Sequence, residues 1–486
     1  MRLLCVSTAK NTDHILRKLK EVAGPEIEAT LHFGREEADY RVSSFTRMKR
    51  TTGTRGHILD KARYTGAAKA LIESEEFSEN LEMFVDHLHR RSALNEFRSH
   101  PIRLMHDYFD YYHLLADTIA KIMSDERIDH VLFFNVPHLA YDTIIYQIAR
   151  SLGIKITIVS QSLFPGRFFS LRDMTTLGLL PKETIAAEPY KIERGKPLDL
   201  FYMKGVGQER GQMGGLTASG FLNLMLGLFR RRPLQALNPF AVAGWLRRMR
   251  KVGRALPKWR DPFSRYFHPD HFDYYENLLR YEENPIDLDG PFVYFPLQMQ
   301  PEMTTSSLGG KFRDQALAIE RLADLLPENV RILVKENPKQ GAYMRGPLFY
   351  HRLARIPNVT ILPSYANTHA LMQRSQFVAT ITGTVGWEAI RAGKPALVFG
   401  AAWYRSLPGV VRYRDDLTYE EIVGLPIDHA ALEATVGQLL ARAHEGVVDR
   451  HYTKLVPGFD ADANADCVAK TLLALMQGEV QETFSL

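Results

Sequence analysis

The apolar positions along this chain gather into short runs that recur between longer amphipathic stretches. "RLLCVST" at 2 to 8, "HVLFFNV" at 130 to 136 and "KITIVSQ" at 155 to 161 are each about the length of a buried strand. Their alternation with helical stretches predicts a parallel sheet covered on both faces. Between the first two runs, residues 56 to 125 read as a mostly helical insertion rich in Leu, His, Arg and aromatics. "LAYDTIIYQIARSLGI" predicts a helix that stops at Gly153 and leads straight into the third run.

The pattern starts again near residue 291. "PFVYFPL", "RILVKEN", "NVTILPS", "FVATITG" and "PALVFGA" are strand candidates, with helical stretches such as "KFRDQALAIERLADLL" and "HALMQRS" between them. That is a second parallel α/β unit of Rossmann size. "ALEATVGQLLARAH" and "ADCVAKTLLALMQ" then read as C-terminal helices. The expected fold class is α/β and GT-B-like: two Rossmann-like lobes, a helical insertion in the first, C-terminal helices, and a ligand cleft between the lobes. The expected divisions are 1–205 for an acceptor-side lobe, 206–285 for a connector, 286–425 for the second lobe and 426–486 for the terminal helices.

The connector changes character. From Arg210 to Arg260 there is no acidic residue, while basic clusters such as Arg230, Arg231, Arg232, Arg247, Arg248 and Arg250 alternate with apolar stretches holding Phe221, Phe229 and Trp245. The stretch 216–260 is either an interfacial segment for an anionic membrane surface or an interdomain helical pair whose arginines are merely solvated.

Composition narrows the classes. A chain of 486 residues is too long for one ordinary core. With 61 Lys and Arg against 56 acidic residues, the formal charge of +5 excludes a uniformly basic nucleic-acid binder. Cys5 and Cys467 lie far apart without metal-ligand spacing, so neither a disulfide framework nor a zinc site is indicated, and no metal is expected. The N-terminal stretch lacks a long apolar region or cleavage site and reads as a buried strand. No run reaches the roughly 18 apolar residues that a membrane span requires. A cytoplasmic protein is expected, peripheral on the inner membrane if the basic segment binds there.

Candidate chemistry collects at the predicted strand ends. In "TITGTVGWEA", residues 380 to 389, a glycine-containing turn joins a strand to a helix, where free backbone N–H groups and the helix dipole favour an anion. Thr382 and Thr384 add hydroxyls, Gly383 and Gly386 allow close approach, and Glu388 is placed to hold a ribose. The same turn is also what any parallel crossover would use. After the first strand of this lobe come Gln298, Gln300, Glu302, Thr304, Thr305 and Ser306, a density of uncharged donors suited to hydroxyl-rich ligands. Lys335 and Asn337 end the next strand, and Trp403, Tyr404 and Arg405 come after the last, placed to stack on a base or clamp a phosphate. In the first lobe, His138 and Asp142 come after a strand at a helix start. Histidine has a suitable pKa for taking a proton from a sugar hydroxyl, and a capping or packing histidine would sit there equally well.

The series "FPLQMQPEMTTSSLGG", "LVKENP", "TITGTVGWEAIRAGKPALVFG" and "WYRSLPG", in that order and spacing, resembles the C-terminal lobe of the bacterial capsular polysaccharide biosynthesis family, which includes Kdo transferases. The resemblance covers roughly residues 290 to 412. It implies a cytoplasmic, metal-independent GT-B glycosyltransferase that uses a nucleotide sugar as co-substrate and no other cofactor. The nucleotide would sit in the C-terminal lobe, and a glycan or lipid-linked glycan acceptor in the N-terminal lobe. Members that use CMP-activated sugars carry His-Pro after the "VKE" strand, where this chain has Asn337-Pro338. Asparagine donates a hydrogen bond but carries no charge, so the resemblance does not identify the donor sugar. On this reading Lys335 and Glu302 assist at the donor, and His138 or Asp142 handles the acceptor hydroxyl. The alternatives are a nucleotide-sugar epimerase of the same fold and a non-catalytic capsule assembly or export component.

Overall fold

The computed structural model describes residues 1–34 except Thr8, 38–41, 66–94, 105–194, 198, 238–240, 243, 286–337, 340, 345, 347–362 and 366–486, with Lys10, 88–94 and Pro347 as backbone alone. The 206–285 connector and its basic segment therefore lie outside the described residues, apart from 238–240 and 243.

The first lobe is built on β1 (Arg2–Val6), β2 (Ala29–Gly34), β3 (Tyr40–Arg41), β4 (His130–Phe133), β5 (Lys155–Gln161) and β6 (Arg167–Leu171). Strands β1 to β5 run parallel, and β6 turns back antiparallel on β5. Every residue of β4 is buried, the pattern of a strand covered on both faces. The expected insertion is helical at Gly66–Ile72, Phe77–Leu94 and Met105–Asp125. Its aromatics lock edge to face, with Phe84 and Tyr112 ring centres 5.2 Å apart. The helix Ala140–Ser151 ends just before Gly153, whose φ of +65° suits a residue without a side chain.

The second lobe has six parallel strands: β7 (Phe292–Pro296), β8 (Arg331–Lys335), β9 (Val359–Leu362), β10 (Val378–Thr380), β11 (Ala396–Val398) and β12 (Val410–Arg412). Their order is β12-β11-β10-β7-β8-β9. The chain winds outward in one direction from β7 and in the other from β10, so the topological switch lies between these two strands, where open α/β sheets bind ligands.

The terminal segment returns to the first lobe. The short β13 (His444–Glu445) pairs antiparallel with β6 and completes a seven-stranded sheet. Buried His444 places Nε2 2.6 Å from the Ser170 hydroxyl, whose oxygen also accepts the Thr483 N–H. The helix Ala461–Gln477 then packs Ala465, Val468, Ala469 and Leu472 against Ile15, Leu16 and Leu19 of the helix Lys10–Ala23. The two expected terminal helices thus form, at His429–Arg442 and Ala461–Gln477, and both bury their apolar faces in cores shared with the first lobe. Among the described residues no helix is long and apolar enough to cross a membrane.

Candidate active site between the lobes

Strand β10 runs into Ile381, Thr382 and Gly383, and the helix Thr384–Arg391 begins at once after Gly383, whose N–H goes to the Thr380 hydroxyl at 3.1 Å. Gln298, from the loop after β7, fixes this turn: its Oε1 accepts the Thr382 N–H at 2.9 Å. The Thr382 hydroxyl in turn donates to the Thr304 carbonyl at 2.6 Å, tying the two loops together. From beneath, the buried Tyr404 hydroxyl donates to the Gly383 carbonyl. The turn is thus held from two sides, with the Thr382 and Gly383 N–H groups spent on Gln298 and on the Thr380 hydroxyl, and Gly383, Thr384 and Val385 form its outer edge.

That edge borders a cavity of about 480 Å³. The cavity lies over the switch between β7 and β10 and is closed from the first lobe by Ser160, Ser162 and Phe169, together with Tyr452 from the returning terminal segment. At its base Lys335 is 8% exposed, and its ammonium donates to the Thr368 hydroxyl at 2.7 Å. Burial pushes this ammonium down to about 8, so it is still mostly charged at neutral pH. Among the described residues no carboxylate pairs with it. Its neighbour Glu336 is committed elsewhere, accepting from the Tyr350 hydroxyl at 3.0 Å and lying 3.4 Å from Arg345. Glu388 also lines the cavity. Burial raises its carboxyl above the ordinary carboxylate range, against the pull of the Leu198 N–H and the Arg391 charge. Trp403 forms an aromatic wall with Trp387 and Phe164, at ring-centre distances of 5.3 and 5.7 Å.

Ten of the expected site residues meet here: Gln298, Glu302, Thr304, Lys335, Asn337, Thr382, Gly383, Thr384, Glu388 and Trp403. Eight do not. Gln300 faces a different groove and is bonded through its N–H to Gln340 and through Oε1 to Gln315. Thr305 is buried with its hydroxyl on the Met299 carbonyl, and Ser306 is buried beside it, because Met303–Ser307 close into a wide π-type helical turn. Gly386 gives no approach to a phosphate: a Cβ there would run into the Tyr404 hydroxyl, so the close contact is internal. Tyr404 lies fully buried beneath the turn, outside the cavity lining, and Arg405 points to the other side of the wall, donating to the Thr175 carbonyl and lining a second cavity.

The two first-lobe candidates lie outside this cavity. Asp142 is a helix cap: it accepts the His138 N–H at 3.0 Å and the Leu139 N–H at 2.6 Å, and burial pushes its carboxyl up to about 7. His138 keeps Nδ1 2.7 Å from the Val136 carbonyl, and neither residue lines the cavity. Sequence reasoning missed Thr368, Tyr452 and the pair Ser160 and Ser162. Thr368 opens a helix soon after β9 and was open to the same strand-end rule as Lys335. Tyr452 carries no such signal, since only the return of the chain brings it to the cleft. Among the described residues no group of three or more His, Cys, Asp or Glu is gathered as a metal site would need.

Residues 281–437 match the family model described as capsule polysaccharide biosynthesis protein. That stretch contains the motifs at 290–412 from which the resemblance was read. No match was found among curated proteins. Among solved structures, the chain is similar to the β-Kdo 2,7 transferase of Thermosulfurimonas dismutans KpsC (9% identity, 97% of this chain and 100% of that one, TM-score 0.35). It is also similar to the β-Kdo 2,4 transferase of the same protein (12% identity, 65% and 81% covered, TM-score 0.28). A third likeness is to UDP-GlcNAc 2-epimerase from Methanocaldococcus jannaschii (11% identity, 91% and 99% covered, TM-score 0.23). At such scores the GT-B-like reading stands on the two sheets and the cleft between them.

Proposed function

We propose that this protein is a glycosyltransferase of surface-polysaccharide synthesis, taking a sugar from a nucleotide-activated donor bound in the cleft to a glycan or lipid-linked glycan acceptor. The observation that carries the reading is Lys335, a buried ammonium without a carboxylate partner among the described residues, sharing one cavity with the N-terminal end of the helix Thr384–Arg391. That pairing suits a nucleoside diphosphate or monophosphate leaving group. As the bond from the anomeric carbon to the phosphate oxygen breaks and the bond to the acceptor oxygen forms, negative charge grows on the phosphate. Lys335 and the helix N–H groups stabilise it there without a metal. Glu388, steadied by the Leu198 N–H, holds donor hydroxyls. Glu302, in the same cavity, takes the proton of the acceptor hydroxyl. The protein works at the cytoplasmic face of the membrane, with the 216–260 segment on anionic lipid.

A thermal-shift panel of CMP, UDP, GDP and dTDP tests the donor half, because a ligand of the native state raises its apparent stability. The cognate nucleotide sugar should then release nucleotide when a glycan acceptor is added. Thr384→Val combined with Glu388→Gln should weaken nucleotide binding roughly tenfold at a near-unchanged Tm. A large fall in Tm with binding intact would reduce the turn to a structural crossover. If no nucleotide shifts the Tm and none is released from any sugar donor, the reading is wrong. Replacing Arg230, Arg231 and Arg232 by serine should reduce sedimentation with anionic liposomes, and unchanged sedimentation removes the membrane contact.

A further inference from the structure

A second cavity, of about 840 Å³, lies behind the wall of Leu308 and Ala401 that it shares with the first. It sits over the β11 and β12 edge of the second sheet, away from the switch, and the helices Phe77–Leu94 and Ala140–Ser151 close it from the first lobe. Arg150, Arg405 and Arg412 line it. Arg405 gives one guanidinium N–H to the Thr175 carbonyl, and its Nε is buried without a partner. Burial and the nearby charge of Arg412 together push Arg405 down to about 10, which leaves it cationic at neutral pH.

The acids of the same wall leave Arg405 and Arg412 unanswered, while the Asp173 charge acts on Arg150. Glu79 pairs with Arg313, Asp173 accepts from Tyr146 and Thr175, and Glu76 is exposed. Arg414, also in the wall, is already matched by Asp416 and Glu421. Among the described residues no carboxylate forms an ion pair with Arg405 or Arg412. Two neutral donors are equally unspent: Ser307 and Asn80 are both more than nine-tenths buried in this wall, and the Ser307 hydroxyl and the Asn80 amide nitrogen have no partner. Holding two guanidiniums near one another beside orphaned donors is costly unless an anion completes the set.

We propose that this second cavity binds the acidic part of a glycan, a stretch of sugar carrying carboxylate or phosphate groups, with Arg405 and Arg412 on the anion and Asn80 and Ser307 on hydroxyls. A lone phosphate would occupy little of the space, whereas several sugar units match it. The naming of a glycan rests on the glycosyltransferase reading, while the anion site stands on the arginines alone.

The test uses the full chain and three probes in calorimetric titration: tetragalacturonate, its carboxyl-reduced neutral counterpart, and inorganic pyrophosphate. Tetragalacturonate should bind at least tenfold more tightly than the neutral oligosaccharide, less tightly as salt is raised, and pyrophosphate should displace it. Arg412→Gln, and the pair Arg412→Gln with Arg150→Gln, should each weaken tetragalacturonate at least tenfold while leaving the Tm and nucleotide affinity unchanged. Equal binding of acidic and neutral probes, or unchanged binding in both variants, overturns the proposal. Pyrophosphate binding with tetragalacturonate refused overturns the glycan assignment and leaves a small-anion site. Because nucleotide affinity is read separately, failure of the donor site and failure of this one give different results.

Discussion

Lys335 is where one side chain concentrates the chemistry. An ammonium pushed down to about 8 by burial, and donating to a threonine hydroxyl instead of a carboxylate, gains most when a phosphate arrives. Nucleotide affinity should therefore hold steady below about pH 7 and fall as pH rises through 8, when the free lysine loses its charge. Binding titrations across that range should show the step in the native protein, and Lys335→Met should lack it and bind roughly ten- to a hundredfold more weakly. Gly386→Ala probes the opposite kind of residue. Its new methyl group would collide with the Tyr404 hydroxyl, so a loss of about 1–3 kcal/mol is expected in urea unfolding. Sequence alone showed that polar residues crowd the strand ends, since apolar runs mark the strands and the residues just beyond each run lie at its end by chain continuity. It could not show which way each one faces: Gln298 and Gln300 are two apart, yet the first reaches the cavity and the second a different groove.

At the level of single elements, the strand, turn and helix from Val378 to Arg391 was legible because every part of it is written locally: a short strand of two apolar residues and a threonine, a glycine turn, an amphipathic helix. The turn at Met303–Ser307 was not, since a wide helical turn has no period of its own to detect, and it is what withdraws Thr305 and Ser306 from the cleft. Strands β3 and β13, two residues each, were equally invisible: their pairing is decided by distant partners. The helix Ala140–Ser151 offers a test of role. Asp142→Ala removes the acceptor of two N–H groups and should cost about 1–2 kcal/mol in urea unfolding. Asp142→Asn keeps an acceptor oxygen in a site that already disfavours the charge, so it should be nearly neutral. Turnover per folded molecule should be unchanged in both, as expected of a cap and not of a general base.

Across the whole molecule, the two lobes are bound by polar contacts as well as by packing. Arg313 of the second lobe, 5% exposed at its side chain, pairs with Glu79 and donates to the Glu79 carbonyl, and Arg391 donates to the Glu193 carbonyl at 3.0 Å. The return of the chain adds a third tie. Leu472→Ala, near the C-terminal end of the sequence, should destabilise by about 2–5 kcal/mol. The damage should be read at the other end, as lost hydrogen-exchange protection in the helix Lys10–Ala23. A local effect confined to 461–477 would contradict that packing.

The late arrival of β13 and of the helix Ala461–Gln477 also sets the order in which a growing chain can finish folding. On the ribosome, the N-terminal half emerges with one sheet edge unpaired and the apolar side of Lys10–Ala23 uncovered. Those surfaces stay open until the entire second lobe has been made, so the halves cannot mature one after the other as independent domains do. The nascent chain should accordingly lean on chaperones throughout its synthesis, and a prematurely terminated product should be a ready substrate for proteases.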